Sequence, residues 1–573
     1  MKQENLPSSG KTRSFVTGLI LALVLLLLLN LVSSFFYYRI DLSKGKIHTL
    51  SKASCNLVHN LKDNLVIKVY LSDNLPPEYN ALARYAKDLL AEYKQAGGKH
   101  VRYEFVSRTN EDAFRSQAAR DNIFAQRTVI LENDQQTVRD IYMGMAFEYK
   151  GNRESLNLSK DIEGRLEYEI TTLLRRLTNA KLTKVTVFQD SLYNSNYYQY
   201  FEHYLNQNYA VLPTNLNAPV KASDVMIFTG VADSLSPLQL YNLDQYIMHG
   251  GKVIFLQERV AGDLQYGQAY EINSNIFRLL KHYGIEIKPN LVMDQNCAPI
   301  KISQRSGIFM IDVPVPYPFI PMVQGSKNSV ISKGFSDIFL YYCSELNTNT
   351  GTKNITVTPL LKTSSASGIM NGPDFQVDPN EVIDQKLMST LTLPPVTVGA
   401  LFTGTFTSFY ANNPSYAKTK GFSGKVNNGE IIVVTDSDMI RDYIASASDA
   451  NIMFILNAAD FLLKDLSLCE IRSRTIPNSP LDLGAFLYKH NVPPDKIAQT
   501  EPNLRQIVKI LNILLPSLLL ILYGLHRMYL LKKERRLIQA RFQPVIPSPE
   551  PSADEEEAEG KDQEEPSDED KEE

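Results

Sequence analysis

Two stretches of the chain are apolar over a bilayer's width. Gly18–Leu29 contains no polar side chain, and Ile510–Leu525 contains no charge. Extended to Phe15–Tyr38 and Ile507–Leu531, both reach the roughly 20 residues that cross a hydrocarbon core as a helix. Only a helix satisfies its own backbone in lipid, so the pattern predicts a transmembrane helix near each end. A cleaved signal peptide is the other reading of the first stretch. Its length argues against that, as does Ser33-Ser34-Phe35-Phe36-Tyr37-Tyr38, which offers no small-residue cleavage site and suits an interfacial aromatic belt.

Between the anchors the periodicity is that of a folded α/β protein. Asn64–Leu71 alternates and is rich in β-branched residues, predicting a strand. Tyr79–Gln95 places Leu82, Tyr85, Ala86, Leu89, Leu90 and Tyr93 on one helical face, Gly97-Gly98 stops it, and Val101–Val106 is a second strand. Strand, helix, strand in this span predicts a βαβ unit. Further strands are expected at Arg127–Glu132 and Met145–Lys150, then an amphipathic helix over Glu163–Leu177 leading into a second domain. There Lys184–Phe188, Asp224–Gly230, Lys252–Leu256 and Gly429–Asp436 read as strands of one mainly parallel sheet. Helices are expected near Tyr197–Gln207, from Ser236-Pro237 through Met248, and over Asn451–Leu463. Tyr317–Val398, rich in Ser, Thr, Pro and Gly, reads as irregular.

Charge orients the anchors. Arg527, Lys532, Lys533, Arg535, Arg536 and Arg541 follow the second, against Arg505 and Lys509 before it, which places the C-terminus in the cytoplasm. Two crossings return the N-terminus to the same side, so the bulk is exported. Formal charge is −4 overall, but Glu550–Glu573 holds fourteen acids and two lysines, leaving +8 for the remainder. That terminal segment has almost nothing apolar to bury and reads as a disordered tail. The predicted layout is a cytoplasmic N-terminus (1–14), a transmembrane helix (15–38) and a membrane-proximal α/β domain (39–180). A larger α/β domain (181–480) follows, with an irregular insertion at about 300–425, then a linker (481–506), a transmembrane helix (507–531) and a basic, then acidic tail (532–573).

Candidate chemistry is sparse. Cys55, Cys297, Cys343 and Cys469 show no CxxC spacing, the eight histidines are scattered, and no metal or cofactor is expected. A Cys297–Cys343 disulfide is conceivable in an oxidising compartment. Gly10-Lys11-Thr12 resembles the end of a phosphate-binding loop, but Asn5 stands at the first glycine position and no strand precedes it, so an ATPase must be a separate polypeptide. Asp436-Ser437-Asp438 lies at the carboxyl end of a strand, where α/β sheets place ligands, and Gly230 ends another. These four are the candidate ligand-binding residues. The alternative for the aspartates and serine is that they satisfy loop amides or cap a helix, and for Gly230 that it permits a tight turn.

Asp224-Val-Met-Ile-Phe-Thr-Gly230 followed by Leu235–Val253 resembles the core motif of the gliding-motility-type ABC transporter auxiliary subunits. Leu291-Val-Met-Asp294, Tyr317-Pro318, Thr358-Pro-Leu-Leu361, Gly429–Asp438 and Asn457-Ala-Ala-Asp460 continue the resemblance in order. Asp41-Leu-Ser43, Thr49-Leu-Ser51 and Leu166–Thr172 extend it towards the first anchor. The resemblance implies a two-pass protein of the bacterial inner membrane with a periplasmic ectodomain. Its implied partners are an ABC permease and a separate ATPase, not nucleic acid, and a homo-oligomer is left open. The core also looks like a class I glutamine amidotransferase, but no cysteine sits on a strand-to-helix elbow and Thr229-Gly230-Val231 offers no nucleophile, so no enzyme is expected. A periplasmic ligand-binding or scaffold protein without a transporter is the alternative.

Overall fold

The structure, a computed structural model, describes residues 49–472 and 494–541, with six residues of the first apolar stretch. Short internal stretches (73–74, 77–78, 133–134, 179–181, 191–192, 221–224, 265, 307–308, 350, 352–353 and 380–384) fall outside this description. Gly18, Ile20, Leu21, Val24, Leu25 and Leu28 are helical and exposed; the rest of the predicted first membrane helix, and residues 542–573 of the tail, lie outside the described residues. The chain divides into two units, Met1–Pro477 and Asn478–Glu573.

The N-terminal α/β domain begins with α1 (Lys52–His59), whose N-cap Ser51 accepts a hydrogen bond from the Ser54 amide. β1 (Leu65–Leu71), α2 (Asn80–Gly97) and β2 (Val101–Phe105) form the expected βαβ unit, with β1 and β2 paired in parallel. Gly98 ends α2 at φ +56°, a conformation that costs a Cβ-bearing residue. α3 (Glu111–Arg120), capped by Asn110, then leads to β3 (Ala125–Glu132), β4 (Gln135–Tyr149) and β5 (Asn152–Asn157). The sheet order is β2-β1-β4-β3, with β5 also on β4. Its core packs Leu65, Ile67 and Val69 against Leu82, Ala86 and Leu90 of α2, and against Ile170 and Leu174 of α4 (Leu166–Thr178).

The larger domain is built on a ten-stranded sheet. Its strands are β6 (Lys184–Phe188), β7 (Ala210–Thr214), β8 (Val225–Phe228), β9 (Lys252–Leu256), β10 (Cys297–Ser306), β11 (Phe309–Gly325), β12 (Ile355–Lys362), β13 (Thr397–Thr407) and β14 (Lys425–Val434). They lie in the order β10-β11-β12-β13-β14-β9-β8-β6-β7, and Ile338–Phe339 adds a short strand to β11. β14, β9, β8, β6 and β7 pair in parallel, as expected for the four predicted strands. From β14 to β10 every pair is antiparallel, so the sheet is mixed rather than mainly parallel.

The region expected to be irregular supplies that antiparallel half. The reason is local: β10 and β11 carry Pro299, Pro314, Pro316, Pro318 and Pro321, which lack the ladder N–H and break the period-two pattern. β11 nonetheless alternates in space, with Val313 and Val315 half-buried and Pro314 and Pro316 exposed.

Both faces of the parallel half are covered, which is why its strands are apolar at nearly every position. Val185, Val187, Ile227, Ile254 and Ile432 face α5 (Gln199–Asn208) and α8 (Asp449–Leu463). Phe188, Phe228, Phe255 and Val433 face α6 (Pro237–Met248) and α7 (Ile276–His282). α6 opens with the predicted Ser236 cap, completed as a capping box by Gln239.

α4 joins the domains through polar contacts in the same unit. Arg175 pairs with Asp465 at 2.7 Å, Arg165 with Asp449, and Tyr168 OH accepts from Asn208 Nδ2 at 2.9 Å. In the second unit α9 (Pro494–Arg541) is 48 residues long, so it covers the end of the expected linker and runs on through the basic segment. Within it Asn503–Leu537 is long and apolar enough to cross a membrane and has none of its most apolar window buried.

Candidate functional site

Taken in chain order, the parallel strands β6, β7, β8, β9 and β14 lie as 2-1-3-4-5, the doubly wound arrangement whose switch point falls between the first and third strands. Connections there leave in opposite directions and open a crevice outside the carboxyl ends. A cleft of about 1000 Å³ occupies this position. Gln189 and Asp190 follow β6, Thr214 and Asn215 end β7, and Asp233 and Ser234 follow β8.

Buried polar contacts hold its walls. Thr229 Oγ1 donates to the Phe188 carbonyl at 2.7 Å, tying the ends of β8 and β6. Gln257, just past β9, accepts from the Val231 amide at 2.8 Å and returns a hydrogen bond to the Val231 carbonyl at 3.0 Å. Gln239 Nε2 donates to the Asn215 carbonyl and Asn242 Nδ2 to the Leu216 carbonyl, both at 2.8 Å, fixing the loop after β7 against α6. Among the described lining residues the charged groups are Asp190 and Asp233, and the rest of the polar lining is amide and hydroxyl. Such a cleft suits a polar ligand that is neutral or cationic and disfavours an anion.

The four sequence-predicted residues come together one strand further along. Gly230 adopts φ +88°, and a Cβ there would lie 2.7 Å from Ser437 Cβ and 2.8 Å from the Leu256 carbonyl oxygen. Only glycine lets the ends of β8 and β14 approach so closely. Asp436 is buried; its carboxylate accepts from the Asp438 amide at 2.8 Å and the Tyr341 amide at 2.7 Å. Glu258, after β9, accepts from the Ser437 amide at 2.9 Å, and Asp438 pairs with Arg441 at 2.8 Å and accepts from Tyr443 OH at 3.1 Å.

Burial raises the pKa of Glu258, Asp436 and Asp438 above the ordinary carboxylate range, and for Glu258 and Asp436 repulsion from Asp438 adds to it; Arg441 pulls Asp438 back. Their polar atoms bond loop amides, one arginine and the Tyr443 hydroxyl. The cluster therefore shapes the strand ends beside the cleft, while the cleft itself is lined by other residues. Glu258 and the β7 loop escaped the sequence reading because neither carries a motif; the strand order alone locates them.

No group of three His, Cys, Asp or Glu side chains is placed to hold a metal among the described residues. Cys297, Cys343 and Cys469 are buried free thiols, and Cys55 is half-buried. Burial pushes Cys297 up to about 11 and Cys469 up to about 12, and raises Cys343 well above the ordinary thiol value.

Comparison with known proteins follows this architecture. Residues 178–464, which span the ten-stranded domain, match a family described as an ABC-type uncharacterized transport system, ABC_transp_aux. The chain belongs to this ABC transport auxiliary family. Residues 44–148, which run from before α1 into β4 of the N-terminal domain, match a domain of unknown function, DUF7088. An uncharacterized protein of Borreliella burgdorferi is 22% identical over 485 residues, covering 80% of this chain and 89% of the relative. Among solved structures, the mmIFT52 N-terminal domain aligns over 49% of this chain and 96% of its own at 14% identity, with a TM-score of 0.29. A putative ThuA-like protein from Bacteroides uniformis aligns over 50% and 93% at 10% identity, with a TM-score of 0.24. Scores this low carry no argument about the fold.

Proposed function

We propose that this chain is a non-catalytic auxiliary subunit of an ABC transport complex of the gliding-motility or secretion type. It is held in the bacterial inner membrane by two helices and presents both α/β domains to the periplasm. The family match over residues 178–464 carries the transport assignment. Membrane attachment is supported by Asn503–Leu537, which is long and apolar enough to cross a membrane, and by the basic residues Lys532, Lys533, Arg535 and Arg536 after its apolar stretch. The first apolar stretch, Phe15–Tyr38, supplies the second crossing by its length and composition.

A non-catalytic role is supported by the chemistry at the strand ends. The 2-1-3-4-5 half of the sheet favours the comparison with an amidotransferase-like core, yet the turn after β8 carries Thr229-Gly230-Val231 and Thr229 is bonded to the Phe188 carbonyl. The buried thiols are held protonated rather than activated. The switch-point cleft then acts as a ligand-binding site, positioned by the Gly230–Asp436–Ser437–Asp438 cluster, and reports ligand to the transporter. Affinity purification of the full chain in mild detergent tests the assignment. A co-purifying ATPase and multi-span permease are expected, and recovery of neither contradicts it.

A further inference from the structure

The N-terminal domain has a cleft of its own, of about 910 Å³, at the carboxyl ends of the parallel pair β1 and β2. Asn80, Arg84 and Lys87 succeed each other at helical spacings of four and three, so they form one ridge on α2 facing Phe105, Ser107 and Arg108 at the end of β2. Among the described lining residues the charged groups are Arg84, Lys87 and Arg108, with no carboxylate.

Arg108 is fixed in place. It forms a bidentate pair with Glu111, donates through Nη1 to Ser72 Oγ at 3.0 Å, and its guanidinium lies 5.1 Å from the Phe114 ring centre. Glu111, which also accepts from Arg115, lines neither this cleft nor the next. That neighbour, about 510 Å³, shares Ser72 and Arg108 and adds Arg115, Arg127 and Arg139 against a single acid, Asp140. The floor differs in character. Val69, Leu71 and Leu75 line it, and Phe105 is 48% exposed with Lys87 Nζ 5.5 Å from its ring centre.

From this arrangement we propose that the N-terminal domain binds a phosphate ester, with the phosphate held by Arg84, Lys87 and Arg108 and the organic group on Phe105 and the apolar floor. A phosphate monoester carries nearly two charges at neutral pH and three oxygens, which the charges of Arg84 and Lys87 and the donor capacity that Arg108 keeps beside its Glu111 pair satisfy better than they satisfy a carboxylate. The first turn of α2, where Asn80 lines the cleft, adds amide donors and a favourable dipole at the same end. The shared chemistry fits either a soluble phosphate monoester or the monoester headgroup of phosphatidic acid. This site stands apart from the switch-point cleft, whose lining charges have the opposite sign.

Calorimetric titration of phenyl phosphate into the full chain in phosphatidylcholine nanodiscs tests the site. Saturable binding is expected, tighter than that of benzoate, and weakened at least about tenfold in Arg84→Ala/Lys87→Ala, since each lost charge-assisted hydrogen bond weakens binding about tenfold or more. Both side chains are exposed, so thermal unfolding should be unchanged. Lys301→Ala/Lys333→Ala, which removes two exposed cations elsewhere, should bind as the parent does. In nanodiscs of equimolar phosphatidic acid and phosphatidylcholine, weakened phenyl phosphate binding assigns the lipid headgroup, and unchanged binding assigns a soluble ester. Absence of saturable binding, benzoate binding as tightly, or equal weakening in both double variants would overturn the proposal.

Discussion

Replacing Arg472 tests how the folded domain ends before the chain continues to α9. Arg472 is fully buried, and its Nη1 lies 2.6 Å from Asp460 Oδ2, itself 3% exposed. The same guanidinium donates to Asn457 Oδ1 and Asn208 Oδ1, each at 3.1 Å, and sits 5.1 Å from the Tyr168 ring centre. Asp460 also accepts from Tyr209 OH at 2.5 Å. One side chain thus joins α4, α5 and α8. Arg472→Ala leaves a buried carboxylate without its cation, which costs about 3–5 kcal/mol. For the roughly 400 described residues of this unit, unfolding entropy near 2.1 cal/mol/K per residue gives roughly 0.8 kcal/mol/K, so the melting temperature should fall by about 4–6 °C. Arg472→Met/Asp460→Leu removes both charges and should recover much of the loss, with a coupling energy of about 2 kcal/mol or more in the double-mutant cycle. Far-UV circular dichroism melts of the full chain in detergent supply the readout. A single-variant loss under about 1 kcal/mol, or additive single losses, would refute the reading that the pair acts as a buried unit.

Other perturbations probe the strand ends and the thiols. Gly230→Ala should destabilise by about 2–4 kcal/mol in urea melts, combining left-handed strain with overpacking against Ser437. Gly250→Ala, at φ +91° with nothing within 4 Å of its Cβ, should cost only the strain, about 1–2 kcal/mol; equal losses would sink the steric argument. Because Glu258, Asp436 and Asp438 have folded pKa values raised above the unfolded range, the folded state binds more protons once pH passes about 4. Their contribution to stability is therefore greatest below that pH and is lost as pH rises through the raised values. Asp438→Asn should flatten the decline, and a slope identical to the parent's would count against it. Cys297, Cys343 and Cys469 should resist alkylation at pH 8 until denaturant is added, and rapid labelling of Cys343 in the native chain would contradict its burial.

Where burial on both faces dictated sequence, the sequence disclosed structure. Val225–Phe228 and Lys252–Leu256 are apolar at almost every position because helices cover both sides, and Ser236-Pro237 announced α6 through its cap. β7 was not legible, since Ala210–Thr214 is a half-exposed edge strand containing Pro213. α1 and α3 are short and only two residues of each are buried, so their apolar faces are too narrow to stand out. The antiparallel half was hidden by proline, and its strands find partners well beyond a hairpin's reach, Gln324 opposite Lys362 and Ile355 opposite Gly404. Asp436, Ser437, Asp438 and Gly230 were legible as strand-end residues, but their mutual packing was not. The switch-point cleft depends on strand order, which no local pattern encodes.

Transmembrane geometry is the most exposed part of the proposal, and limited proteolysis reads it directly. Protease is added to intact spheroplasts carrying an epitope tag beyond Arg541, and fragments are mapped by mass spectrometry. Cleavage within residues 39–506 with the tag retained is the predicted result. A protected central portion together with a digested tag would show the bulk to be cytoplasmic and would contradict the periplasmic role.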